Sequence, residues 1–137
     1  MSFSPYLNFN GNAKEAMELY KKAFDAKEQD IMLYKDMPPN EDYPVTDENR
    51  DLVMHGELKI KDTWFMFSDA PGMKTEFGNG LTLMYASKDL EELKKAFSVL
   101  REGGKVESDL GETFLSKAYG YLVDKFGVSW QFNLNDE

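Results

Sequence analysis

Residues 129–134 alternate strictly, with Trp130, Phe132 and Leu134 on one side of an extended chain and Ser129, Gln131 and Asn133 on the other. Asp124 to Gly127 reads as the turn before it, Gly127 supplying the backbone freedom a hairpin needs. Two strands and a tight turn are therefore predicted over residues 117–135. A sheet that merely meets water puts Lys, Glu and Thr on its wet side. The amides of Gln131 and Asn133 point instead to a partly enclosed surface that hydrogen-bonds something, one wall of a pocket.

The same patterning gives the remaining elements. Ser4 to Asn10 is a strand with Leu7 and Phe9 facing the core. A helix follows, with Asn12 as its expected cap, Glu15 as the partner in a capping box, and Ala13, Ala16, Met17, Tyr20 and Phe24 as its buried stripe. Gln29 to Lys35 is a second strand. Asp36 to Asp51, rich in Pro, Asn and acid, has no periodicity and is a long loop, either a lid or a solvated excursion. Leu52 to Lys61 and Thr63 to Ser68 are strands, the second alternating Phe65 and Phe67 with Trp64, Met66 and Ser68. The Pro and Gly residues between Asp69 and Gly80 mark a mid-chain crossover. From Leu81 the order restarts: a strand to Ala86, a helix capped by Asp89 with Glu92 three residues on, an end at Gly103 and Gly104, then strands at 105–109, 116–123 and 129–134. The chain spells strand, helix, three strands, twice, and ELYKKAF at Glu18 to Phe24 echoes ELKKAF at Glu92 to Phe97.

At 137 residues, 42% hydrophobic and 14% aromatic, the chain suits one domain over 1–137 with a substantial core. A net charge of -9 opposes binding to a phosphate backbone, so no nucleic acid partner is expected. The absence of cysteine excludes disulfides and thiolate chemistry. No basic segment followed by an apolar run opens the sequence and no run has membrane-spanning length, so a cytoplasmic protein without a membrane partner is expected. No serine stands in a strand-turn-helix elbow, and no glycine-rich phosphate loop precedes a helix.

PYLNFNGNAKEAMELY at Pro5 to Tyr20, MHGELKI and FMFSDAPG within Met54 to Gly72, EGGKV at Glu102 to Val106, and YGYLVDKFGVSWQFN at Tyr119 to Asn133 resemble the PhnB-like branch of the vicinal oxygen chelate superfamily. That resemblance implies an α+β glyoxalase/bleomycin-resistance/dioxygenase fold. Two βαβββ modules, about 1–72 and about 78–137, would form a curved mixed sheet around a cavity with helices outside. It also implies a homodimer, and leaves the chemistry open, since the superfamily hosts enzymes and pure binders alike.

In catalytic relatives a divalent metal is held by His, Glu or Gln from the first and last strands of each module. At those places this chain offers Ser4 or Pro5, Met66, Leu81 and Gln131, of which Gln131 alone suits a metal. No metal and no cofactor is therefore expected. The inward set is expected to be Tyr6, Asn8, His55, Glu57, Trp64, Met66, Tyr119, Tyr121, Gln131 and Asn133, mixing aromatic walls with amides as small-molecule pockets do. His55, the one histidine, is the candidate general base with Glu57 beside it, against the plain reading of a hydrogen-bonded sheet histidine. The leading expectation is a metal-free binder of a small molecule lodged between the modules. The alternative is a glyoxalase- or dioxygenase-type enzyme, using an atypical metal site at His55 and Glu57 or acid-base catalysis by that pair. A demethylubiquinone-type methyltransferase stands behind both, because the strand, glycine loop and helix that usually cradle S-adenosylmethionine are missing.

Overall fold

A computed structural model describes residues 2–42 and 44–135. Its elements are β1 (Tyr6–Phe9), α1 (Ala13–Phe24), β2 (Gln29–Leu33), β3 (Val53–Ile60), β4 (Thr63–Asp69), β5 (Leu83–Ser87), α2 (Leu90–Leu100), β6 (Lys105–Gly111), β7 (Tyr119–Val123) and β8 (Ser129–Leu134). The twofold strand, helix, three-strand order is as the sequence predicts, and the fold is α+β. Several strands begin later than the alternation suggested, β1 at Tyr6 instead of Ser4 and β3 at Val53 instead of Leu52. β5 starts at Leu83 instead of Leu81, and β7 at Tyr119 instead of Ser116, because Ser116 closes a turn with Thr113 through paired backbone bonds.

The strands form two four-stranded mixed sheets, ordered β1-β4-β3-β2 and β5-β8-β7-β6. In each, the first strand runs parallel to the last, which pairs antiparallel with the one before it. The chain divides into two compact units, one of Asp25–Thr75 with the chain up to Lys21, the other of Lys22–Phe24 with the chain from Glu76 on.

Period-two burial decides which face each sheet buries. In the first unit Leu7, Phe9, Leu58, Ile60, Phe65 and Phe67 are buried together with Met17 and Tyr20 of α1. Gly56 lets α1 approach: a Cβ there would stand 2.7 Å from the Met17 sulfur. In the second, Leu122, Trp130 and Phe132 are buried with Leu93, Phe97 and Leu100 of α2, and a Cβ at Gly120 would stand 2.7 Å from the Phe97 ring.

Within each unit one buried carboxylate accepts from backbone donors that would otherwise be orphaned. Asp69, at the end of β4, accepts from the N–H groups of Gly11 (2.8 Å), Ala13 (3.0 Å) and Val53 (2.9 Å). It therefore caps α1 from 56 residues away. The local capping box expected at Asn12 and Glu15 does not form, since Asn12 makes no side-chain cap hydrogen bond. Asp124 plays the corresponding part in the β7–β8 hairpin, accepting from the Phe126 and Val128 N–H groups and from the Trp130 indole at 2.9 Å. The expected Asp89 cap is present, accepting from the Glu91 and Glu92 N–H groups. The Glu92 carboxylate turns away from the cap to accept from Tyr85 and Ser87.

The excursion at 36–51 leaves and returns side by side. Tyr34 N–H bonds the Leu52 carbonyl and Lys35 N–H bonds that of Arg50, so its base is pinned. Within it, Thr46 and Asn49 bond each other's backbone N–H groups through their side chains.

Candidate functional site

The helix-free face of the first sheet carries every residue of this unit that the sequence assigned to a pocket. Strand alternation puts them there, and the ladder registers fix the rows. Asp30, Glu57, Met66 and Tyr6 stand in one row across β2, β3, β4 and β1; Asn8 pairs with Ser68, and Lys59 with Trp64.

Three of these side chains connect. The Tyr6 hydroxyl lies 3.3 Å from Nδ1 of His55, and Nε2 of His55 lies 3.5 Å from a Glu57 carboxylate oxygen. One neutral tautomer satisfies both contacts, with Nε2–H donating to Glu57 and Nδ1 accepting from Tyr6. On protonation the imidazolium keeps both partners, because the phenol oxygen is then the acceptor. The chain Tyr6–His55–Glu57 thus has the connectivity of a proton relay ending in a phenol that is 48% exposed. The His55 and Glu57 side chains are themselves 40% and 33% exposed, so water reaches the relay. Beside it, Ser68 Oγ donates to Asn8 Oδ1 at 3.2 Å, and the Trp64 ring lies open with the Lys59 ammonium 6.0 Å from its centre.

The second sheet carries its own set on one face. Tyr121 pairs with Gln131, which pairs in turn with Met84 on β5, and Tyr119 pairs with Asn133. Here the amide of Gln131 is held at both ends, with one N–H and one carbonyl lone pair left over. The Tyr119 hydroxyl donates to its oxygen at 2.6 Å and its Nε2 donates to Thr82 Oγ1 at 2.7 Å. Partial burial, with a smaller contribution from the neighbouring Tyr121, pushes the Tyr119 phenol above the ordinary tyrosine range. Among the described residues no hydrogen bond occupies the Asn133 amide or the Tyr121 hydroxyl.

Thr82 was missed by the sequence reading, which put Leu81 at the corresponding corner. Leu81 precedes β5 and is 80% exposed. Met66 pairs with Tyr6 and Gln131 with Met84, so the residue standing to Gln131 as Ser4 stands to Met66 is Thr82. Matching FMF to WQF and counting back along the first strand of each module finds it.

The side chains at these positions are thus the Ser4 hydroxyl and Met66 thioether in the first unit, and the Thr82 hydroxyl and Gln131 amide in the second. They do not fit a divalent cation. Hydroxyls and a thioether hold such ions poorly, and the amide oxygen already accepts from Tyr119. Among the described residues no three His, Cys, Asp or Glu side chains come together as a metal cage, so His55 and Glu57 gain no third acidic or imidazole ligand. A nucleotide-like cofactor finds no seat at the start of α1 either. Gly11 and Ala13 there already donate to Asp69, which takes the place an incoming anion would hold.

Against known proteins, a family model described as 3-demethylubiquinone-9 3-methyltransferase matches residues 1–133. Protein YjdN of Escherichia coli K12 is 34% identical, covering 98% of this chain and 95% of its own length. The putative 3-demethylubiquinone-9 3-methyltransferase, PhnB protein, of Bacillus cereus is 27% identical with a TM-score of 0.76, covering 98% of this chain and 100% of that one. The fosfomycin resistance protein FosX of Mesorhizobium loti, 8% identical with a TM-score of 0.61 over 98% of this chain and 91% of its own, shares the fold alone.

Proposed function

Because this chain belongs to the PhnB-like family of the vicinal oxygen chelate superfamily, we propose that it binds a small molecule without the superfamily's metal. The sheet faces free of helix supply the contacts. The observation that carries this reading is the chemistry at the positions where metal-binding relatives place their ligands: neither Ser4 and Met66 in the first unit nor Thr82 and Gln131 in the second make a cation-binding pair. The helix-free face of each sheet carries aromatic rings beside amide and hydroxyl groups, suited to an organic ligand with polar substituents.

The methyltransferase description attached to the family gains no support from this chain's residues. Neither sheet carries the strand, glycine loop and open helix N-terminus that would cradle S-adenosylmethionine, and Asp69 fills the helix start that comes nearest to one. A homodimer is part of the proposal. Phe114 and Leu115, 96% and 82% exposed, are apolar surface that association would cover, and light scattering would report twice the 15.8 kDa chain mass.

A second reading, acid-base catalysis, is favoured by one specific observation, the Tyr6–His55–Glu57 relay. The two readings separate in a turnover screen run beside metal analysis of protein purified without chelator or affinity tag. Binding alone is expected to give substoichiometric metal and no turnover in wild type, His55→Ala or Glu57→Gln. Turnover that falls ~100-fold or more in His55→Ala establishes the enzyme instead. Stoichiometric metal lost on that same substitution contradicts the metal-free reading.

A further inference from the structure

A cavity of about 350 Å³ lies in the second unit between α2 and β6, lined by side chains of α2 and its C-cap, by residues of β6 and by Lys117 and Ala118 just before β7. Leu90, Lys94 and Phe97 recur along one stripe of α2 and, with its C-cap Arg101, form one wall; Asp109, Leu110 and Lys117 stand opposite. None of these residues belongs to the helix-free face, so the cavity is independent of the function proposed above.

Its two parts differ in character. Phe97, 3% exposed, and the half-buried Leu110 give an apolar floor, which Leu90 borders. Lys94, Arg101 and Lys117 set three cations around it against the single Asp109 carboxylate, in a chain with 25 acidic and 16 basic residues. The Arg101 guanidinium lies 5.8 Å from the Phe97 ring centre and 3.5 Å from Asp109, so it joins floor and rim. Lys94 has Glu91 at 3.8 Å, whereas Lys117 has no carboxylate within ion-pair distance among the described residues.

From this geometry we infer that the cavity binds a small amphipathic anion, its apolar body on Phe97 and Leu110 and its carboxylate among Lys94, Arg101 and Lys117. At about 30 Å³ for each water-sized unit, the volume holds on the order of twelve non-hydrogen atoms, the size of a medium-chain carboxylate. A polyanion such as nucleic acid is opposed by the net charge of -9, and a compact anion meets only the local cations. A bound carboxylate competes with Asp109 for Arg101, so Asp109 weakens the site it borders.

Titrating octanoate into the full chain while recording backbone amide NMR shifts tests this, with 1-octanol as the uncharged probe. Saturable shifts centred on α2 and β6 are expected, with 1-octanol binding ~10-fold more weakly. Lys94→Glu with Lys117→Glu is expected to weaken octanoate ~10-fold, and Asp109→Asn to tighten it a few-fold. These exposed substitutions leave the core intact, and an unchanged spectrum elsewhere verifies folding. Absence of saturation, shifts centred outside α2 and β6, or equal binding of both probes regardless of the charge reversals would overturn the proposal.

Discussion

Removing the Asp69 carboxylate leaves three backbone N–H groups without their acceptor, two of them at the start of α1. Asp69→Ala is therefore expected to cost about 3 kcal/mol or more, read from urea unfolding, because each orphaned buried donor costs about 1–3 kcal/mol. Asn12→Ala, which local composition marks as the cap, is expected to cost under about 0.5 kcal/mol. Equal losses in the two variants would contradict this assignment of the cap. Tyr119 gives a pH-dependent counterpart. Its folded-state pKa is raised by burial first and by Tyr121 second, so the folded chain holds that proton more tightly than the unfolded one. The stabilisation it contributes is fully present below the ordinary tyrosine range and disappears as pH rises through the raised value. Phenolate absorbance is expected to show a late-titrating tyrosine that Tyr119→Phe weakens. The Tyr34 hydroxyl, raised by burial and then by Asp69 and Tyr6, remains in that variant as a second late step. Sequence alone made legible which side chains share the helix-free face of each sheet, because strand alternation fixes it. It did not disclose that Gln131 is held at both ends, since Tyr119 meets it from β7 and Thr82 from the residue just before β5.

Among the elements, β8 was legible to the residue and β4 to within one, because their buried positions are large and strictly alternating. β5 and β7 were read too long. Leu81 and Ser116 extend the hydrophobic or polar pattern without taking part in any ladder, and pattern cannot see where pairing stops. The helix-to-sheet approach was legible only as a glycine within a strand. Gly120→Ala places a methyl group against the Phe97 ring and 3.2 Å from Leu110 Cα, and is expected to cost about 1–3 kcal/mol in thermal or urea unfolding. At Gly104 the new Cβ would collide with the Val123 carbonyl oxygen, a backbone atom with nowhere to turn, so Gly104→Ala is expected to be the more damaging change. A Gly104→Ala protein as stable as wild type would contradict the tight β6–β7 approach.

For the whole molecule, the repeated element order and the family were both readable from sequence because the carrying motifs run from Pro5 to Asn133. No helix among the described residues is long and apolar enough to cross a membrane. What the fold does not specify is chemistry, and here the departures from the superfamily matter more than the likeness. A metal-free binder requires the helix-free faces bearing Tyr6, His55, Glu57, Tyr121, Gln131 and Asn133 to be ligand surfaces. An amide NMR screen of small polar aromatic compounds against metal-free wild type, His55→Ala and Gln131→Ala tests this most directly. The account expects bound compounds to shift β3, β4, β7 and β8, with affinity falling ~10-fold in at least one variant. Compounds that bind only after a divalent cation is added, or that leave those strands and both variants unaffected, would contradict it.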